Sequence, residues 1–257
     1  MGDPYHGSRR LRRVTKTGTW LTVQPSTVNG TELGAQEWRG SLFLRYGLDP
    51  PYLHHYCDGC NTTFSIYHAL DCKQGGLVTA SHKEIRDRVA DLAGKYFTPS
   101  HVRDDSLIFA GCAVKIPMEN PARSKATAVT AVTPPLESTE KKGDLFICYL
   151  WKNSTDIVHK MRVVKTDAKY HLAKTPGKCL QEAERVKKKM YLEARLQQLR
   201  NFSHFVASVD GMLGVEATAT LKRIARSLAT KWRQPYSRTC GYVKSRVVIT
   251  LLQATYR

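Results

Sequence analysis

The chain has 257 residues, of which 42% are apolar, enough for a packed core in one large domain with at most a small module beside it. Lys and Arg outnumber Asp and Glu by 40 to 22, a formal charge of +18, which points to a polyanionic partner such as DNA or RNA. The longest aliphatic run, VVITLL at Val247–Leu252, is too short to cross a bilayer, and no lipidation motif or amphipathic anchor is read, so no membrane partner is expected.

The first fifty residues read as a leading segment, basic at RRLRR (Arg9–Arg13), which suits either a nuclear-import signal or a solvated leader. No apolar stretch follows those arginines, so secretion is not expected. The seven cysteines are odd in number, and Cys112, Cys148, Cys179 and Cys240 are scattered. That suits a reducing compartment, nuclear or cytoplasmic, better than a disulfide framework. Within this segment Leu33–Tyr46 is amphipathic, with Trp38, Leu42 and Tyr46 at helical spacing.

Residues 51–80 hold the spacing C-x2-C-x7-H-x3-C, made by Cys57, Cys60, His68 and Cys72. Zinc takes four soft or borderline ligands in a tetrahedron, and a C-x2-C pair presents two thiolates from one tight turn. The x3 spacing lets one helical turn offer His68 and Cys72 together. Four protein ligands leave no open position for water, so the expected zinc is structural rather than catalytic. A redox C-x-x-C is the competing reading, but it lacks a strand-to-helix context; His54 and His55 are alternative ligands.

Residues 81–257 read as a second, larger unit. A helix is expected over Ser81–Phe97, with Ser81 as N-cap, Glu84 completing a capping box, and Ile85, Val89, Leu92 and Ala93 as its apolar stripe. Ser106–Val114 reads as a strand, and residues of about 115–142 as a Pro-, Ala-, Ser- and Thr-rich loop. DLFICYLW and DIVHKMRVV read as strands joined by the turn KNSTD. A basic helix is expected over Cys179–Arg200, with Ala183, Val186, Met190 and Ala194 inward and Lys187, Lys188 and Arg195 outward. HFVASVDGMLG reads as strand then turn, and Val215–Trp232 as a helix with Leu221, Ile224, Ala225, Leu228 and Trp232 on one face. From Tyr242 onward Val243, Val247 and Leu251 keep helical spacing while the β-branched run favours a strand, so that element stays open. The order after the Cys/His cluster is helix, three strands, helix, strand, helix, a mixed α/β (α+β) class.

The blocks AQEWRGSLFLRYG, CDGC…H…C, GGLVTASHKEIRD, MRVVKTDAKY, KKKMYLEA, VASVDGMLGVEA and KWRQPYSRTCGYV, in this order from about Thr17 to the end, resemble the C-terminal region of site-specific non-LTR (LINE-like) retrotransposon proteins. In those proteins a reverse transcriptase is followed by a CCHC zinc knuckle and a restriction-like endonuclease domain. The element order read above agrees with the αβββαβ core of such nucleases. No Y-x-D-D polymerase signature is found, so the chain resembles only the tail of such a protein, a product of a transposable element.

The resemblance implies a Mg²⁺ site, in which hard carboxylate oxygens hold a metal that activates water and a cation balances developing charge. Carried over residue by residue, it makes Asp144 the first metal ligand, Arg162 the basic residue of the next strand, and Lys189 with Tyr191 the basic-aromatic pair on the following helix. His82 is retained from a further block, in which Ser81 and Lys83 replace the usual neighbours. The departure is Lys160, which stands where the second carboxylate belongs. Exchanging a carboxylate for an ammonium changes the charge by two units, and at ~4 Å each unit pair is worth roughly 4 kcal/mol. Asp156, four residues earlier on the strand, sits about 13 Å away, too far to replace that ligand. Asp87, Asp104 and Asp105 remain as outer carboxylates.

From Arg185 to Arg246 there are fourteen Lys or Arg against three Asp or Glu. Lys187, Lys188, Arg195, Lys222 and Arg223 are the expected nucleic-acid contacts. The leading expectation is a zinc-containing, nucleic-acid-binding remnant of a retrotransposon endonuclease that cleaves poorly or not at all. A Mg²⁺-dependent DNA-nicking enzyme and a zinc-stabilised interaction protein without a nucleic-acid role are the alternatives.

Overall fold

Alternating β-branched and aromatic runs bury one side of a strand each, and in this protein three of them join a short fourth in a mixed sheet. The computed structural model describes residues 17–97, 101–104, 144–151, 155–190 and 201–256, apart from residues 47, 49, 52, 71, 73, 75, 76 and 172. The sheet order is β1 (Val102–Asp104), β2 (Leu145–Trp151), β3 (Thr155–Val164) and β4 (Asn201–Ser208). The β1–β2 and β2–β3 pairs are antiparallel, and β4 lies parallel to β3. A parallel neighbour needs a crossover, and here the described part of it is a helix, Pro176–Met190. The strand expected at Ser106–Val114, the loop after it and the turn residues 152–154 lie outside the described residues. The described strand in that place is β1, a few residues earlier.

The helices are α1 (Ala35–Tyr46), α2 (Ile66–Ala69), α3 (Leu77–Gly94), α4 (Pro176–Met190), α5 (Val215–Trp232) and α6 (Tyr236–Thr255). Period-2 alternation divides the strands cleanly. Leu145, Ile147, Met161, Phe205 and Ala207 face a core shared with α3, α5 and α6. Val164 and Val206 face the other way, onto Leu180 and Ala183 of α4. The class is therefore mixed α/β (α+β).

Four expectations change in detail. α3 begins at Leu77, four residues before Ser81. Ser81 is buried inside the helix, where its hydroxyl donates to the Ala254 carbonyl of α6 at 3.5 Å instead of capping. The open element is helical: α6 buries Val243, Val247 and Leu251 completely. β-branching costs a helix only tenths of a kcal/mol per residue, whereas each buried aliphatic side chain contributes about 1.5–3 kcal/mol.

In α4 the buried side is Cys179, Leu180, Ala183 and Glu184, with Lys187 half-buried, and Val186 is 46% exposed. The stripe is rotated from the expected one because a carboxylate with a specific task, Glu184, occupies it. α1 likewise turns Gly40, Ser41, Leu44 and Arg45 inward and leaves Trp38 and Tyr46 exposed. Gly40 is needed there because a Cβ would collide with the Tyr256 ring, whose hydroxyl donates to the Gly40 carbonyl.

The leading segment docks on α6. Trp20 is buried against Val248, Ile249 and Leu252, and the Arg246 guanidinium donates to the Gly30 carbonyl, where Gly30 holds a left-handed φ of 58°. No helix among the described residues is long and apolar enough to cross a membrane.

Candidate metal centre and basic site

The Cys/His group is built by two local devices. A tight loop carries the first two thiols. The Cys57 amide donates to the Thr62 carbonyl at 2.9 Å, and the Asn61 amide to the Cys57 carbonyl at 2.8 Å. Asn61 takes the left-handed conformation at φ 56°, a conformation Asn tolerates better than most residues. The short helix α2 supplies the second pair. Its start is held by Ser65, whose hydroxyl accepts from the His68 amide at 3.0 Å, and the Cys72 amide donates to the His68 carbonyl at 2.8 Å.

The four ligand atoms lie within 4.8 Å of one another. Cys57 and Cys72 sulfurs are 3.9 Å apart, Cys72 and Cys60 sulfurs 3.8 Å, and the Cys60 sulfur is 3.1 Å from His68 Nε2. Tetrahedral zinc with bonds of about 2.3 Å separates its sulfurs by about 3.8 Å. The donor set and spacing thus fit a metal ion of that kind. Hydrogen bonds from Thr62, its hydroxyl first and its backbone amide second, pull the Cys60 thiol down to about 6, favouring the thiolate a metal needs. His54 and His55 are exposed and stand apart from the group.

The second site lies on the α4 side of the sheet. Asp144 stands one residue before β2, and its amide donates to the His159 carbonyl at 3.0 Å, which extends the β2–β3 ladder by one step. Alternation then puts its carboxylate beside Lys160 of β3. Lys160 Nζ donates to Asp144 Oδ1 at 2.6 Å, and the Met161 amide donates to Oδ2 at 2.7 Å. His82 of α3 completes the shell. Its Nε2 lies 3.0 Å from Asp144 Oδ2 and 3.0 Å from the Met161 carbonyl; both are acceptors, so Nε2 carries the proton. Burial pushes the Asp144 carboxyl upward, but the hydrogen bonds from His82 and Lys160 outweigh it and hold it below the usual carboxylate value.

Two further carboxylates reach this side, and spacing alone did not single them out. Glu184 is buried, and its Oε1 accepts from the Glu216 amide at 3.1 Å, satisfying a free N–H at the start of α5. Gly214 makes room for it, since a Cβ there would meet Glu184 Oε1. Burial raises the Glu184 carboxyl. Glu216 accepts from the His204 amide at 2.7 Å and the Ser203 hydroxyl at 3.2 Å on one oxygen, and from Lys188 Nζ on the other. Each of the three carboxylates is committed to a protein donor, so the described residues do not fit the expected Mg²⁺ site. Asp87 is exposed and paired with Arg86, and Asp105 lies outside the described residues.

Of the expected contact residues, Lys187 and Lys188 lie on α4 with Lys189, which is exposed at its end. Lys188 is paired with Glu216. Lys222 and Arg223 are on α5, which packs on the opposite side of the sheet, so the expected contacts fall into two separate groups. Tyr191 and Arg195 lie outside the described residues. The chain matches no protein-family model and no curated protein, and the functional reading rests on this geometry together with the sequence.

Two buried histidines give the region a pH dependence. His159 is fully buried, and among the described residues neither ring nitrogen has a hydrogen-bond partner. Burial first, opposed by Glu216 and reinforced by His204, pushes it down to about 4. Burial likewise pushes His204 down to about 4, opposed by Glu216 and Asp144 and reinforced by Lys188 and Lys187. Both bind protons near 6.5 when unfolded but resist them when folded, so stability is expected to fall as pH drops from about 6.5 towards about 4. The slope reaches ~1.4 kcal/mol per pH unit per histidine. Denaturant midpoints at pH 7 and pH 5 should show a smaller loss in His159→Gln than in the parent; equal losses would remove His159 from the account.

Proposed function

We propose that the chain is a zinc-containing nucleic-acid-binding protein of retrotransposon origin, built on a restriction-endonuclease-like core that has lost its divalent-metal site. The observation that carries this reading is the Lys160 ammonium 2.6 Å from Asp144 Oδ1. A divalent ion at Asp144 would have to displace that cation and the Met161 and His82 donors as well, and the described residues bring no second free carboxylate to help hold it. The order of helix, three antiparallel-paired strands, helix and a parallel fourth strand supports the αβββαβ reading. The charge of +18 supports a nucleic-acid partner, and the sulfur spacings support a structural zinc.

Gel shifts with duplex and single-stranded oligonucleotides test this. Binding without added Mg²⁺ should equal binding in Mg²⁺, and affinity should fall steeply between 50 and 200 mM salt, as counterion release demands. No binding at low salt, or a response flat in salt, would favour the interaction-protein alternative.

A further inference from the structure

Charge on the α4 side of the sheet is unbalanced once its pairs are counted. Lys160 answers Asp144, Lys188 answers Glu216, and Glu184 is spent on the α5 amide. Two cations remain. Arg162 sits two residues beyond Lys160 on β3 and so faces the same way by alternation, and its side chain is exposed. Lys187 comes from α4, which covers that side, and is half-buried at the end of the helix's inward stripe. Among the described residues neither has a carboxylate partner. Lys187 senses both Arg162 and Lys160: burial first, then these two like charges, lower its affinity for its own proton, and only the distant pull of Asp144 opposes them. Among the described residues, Arg162 and Lys187 therefore add two positive charges without a carboxylate partner beside the Lys160–Asp144 pair. Such an arrangement is costly without an anion and stabilised by one.

Resting on the nucleic-acid reading above, we propose that Arg162, Lys187 and the Lys160 ammonium form a metal-free pocket for one backbone phosphodiester of the bound strand. The guanidinium offers a planar fork to two phosphate oxygens, while the two ammonium groups act as point charges on either side. Asp144 is then a positioning residue. It touches no phosphate but holds the Lys160 ammonium on the sheet. In this site the lysine takes over the electrostatic part a divalent ion plays in a nuclease, without supplying an activated water.

The test uses the zinc-loaded full chain and an oligonucleotide, with no added Mg²⁺ and no chelator, so that the Cys/His module stays loaded. Removing both outer cations in Arg162→Gln/Lys187→Gln should weaken binding at least about tenfold and lower the slope of log affinity against log salt by about one per cation removed. The same charge removed elsewhere, in Lys178→Gln/Arg238→Gln, should change both far less. Thermal midpoints of the two double variants, compared with the parent, separate lost binding from lost folding. Parent-like affinity and salt slope in Arg162→Gln/Lys187→Gln would overturn the pocket while leaving the nucleic-acid reading intact. Failure of the parent to bind any oligonucleotide would overturn both. A mononucleotide or inorganic phosphate that displaces no oligonucleotide at millimolar concentration fits a backbone contact held by the whole strand. Tight binding of either in place of the oligonucleotide would make this a free-anion site and overturn the proposal.

Discussion

Lys160→Asp is expected to make the stability of a Mg²⁺-indifferent protein depend on Mg²⁺. The side chains of Asp144 and Lys160 are 9% and 23% exposed, so the pair is largely withdrawn from water. Breaking a buried pair leaves a charge without compensation and costs about 3 kcal/mol or more. In the variant two carboxylates face each other across the β2–β3 ladder, which adds repulsion. With no added divalent ion the thermal midpoint should therefore drop by roughly 6–12 °C for a chain of this size. Adding Mg²⁺ or Mn²⁺ at a hundred times its dissociation constant should restore about 2.7 kcal/mol, because the ion binds only the folded pair. Lys160→Met is the control: it loses the same ion pair but gains no ligand, so its midpoint should be low and indifferent to divalent ions. If Lys160→Asp were equally indifferent, the site would not be a displaced metal site. Mg²⁺-dependent nicking appearing in Lys160→Asp alone would identify what the lysine silenced.

The second large effect concerns the Cys/His group. One zinc per chain is expected in the purified protein, falling to background in Cys60→Ser or after chelation; equal zinc in parent and variant would sink the assignment. Apparent binding free energies of about 10–16 kcal/mol are typical of small zinc modules, far above what two short turns can contribute alone. Among the described residues α2 packs only weakly against other elements. Leu70 lines a small cleft with Val78, Ser81, Val163, Val209 and Thr255, which is the apolar link to the sheet. Metal removal should therefore abolish amide protection over residues 53–72 while β2, β3 and β4 exchange slowly as before. Loss of protection throughout the sheet would mean that zinc folds the whole chain and not only its module.

What could be read from the sequence was mostly local. The ligand spacing around Cys57–Cys72 is set by one turn and one helical step, and both survive in three dimensions. α5 matches its expected bounds because Leu221, Ile224, Ala225 and Leu228 of its stripe are fully buried, while Trp232 at its end is exposed. α6 could not be decided, since β-branched residues at helical spacing suit either element until their neighbours are known. The long-range features were hidden for a physical reason. Ser81 looks like a cap until Ala254 is brought beside it, and Glu184 looks like a solvated helix residue until the start of α5 supplies an amide for it. Glu216 has the same character, meeting Lys188 and two residues of β4 from different elements. Asp144 and Lys160 were named as equivalents of family positions. That they pair directly, with His82 of α3 completing the shell, follows from strand register, which residue identities alone do not reveal.

The most direct test of the account is a nicking assay on supercoiled DNA with the unaltered, zinc-loaded chain in Mg²⁺, beside the Asp144→Ala variant and a gel shift of the same samples. With Asp144 held by Lys160, Met161 and His82, the parent should bind the DNA and leave it as intact as Asp144→Ala does, with and without added Mg²⁺. Strong Mg²⁺-dependent nicking by the parent that Asp144→Ala abolishes would contradict it.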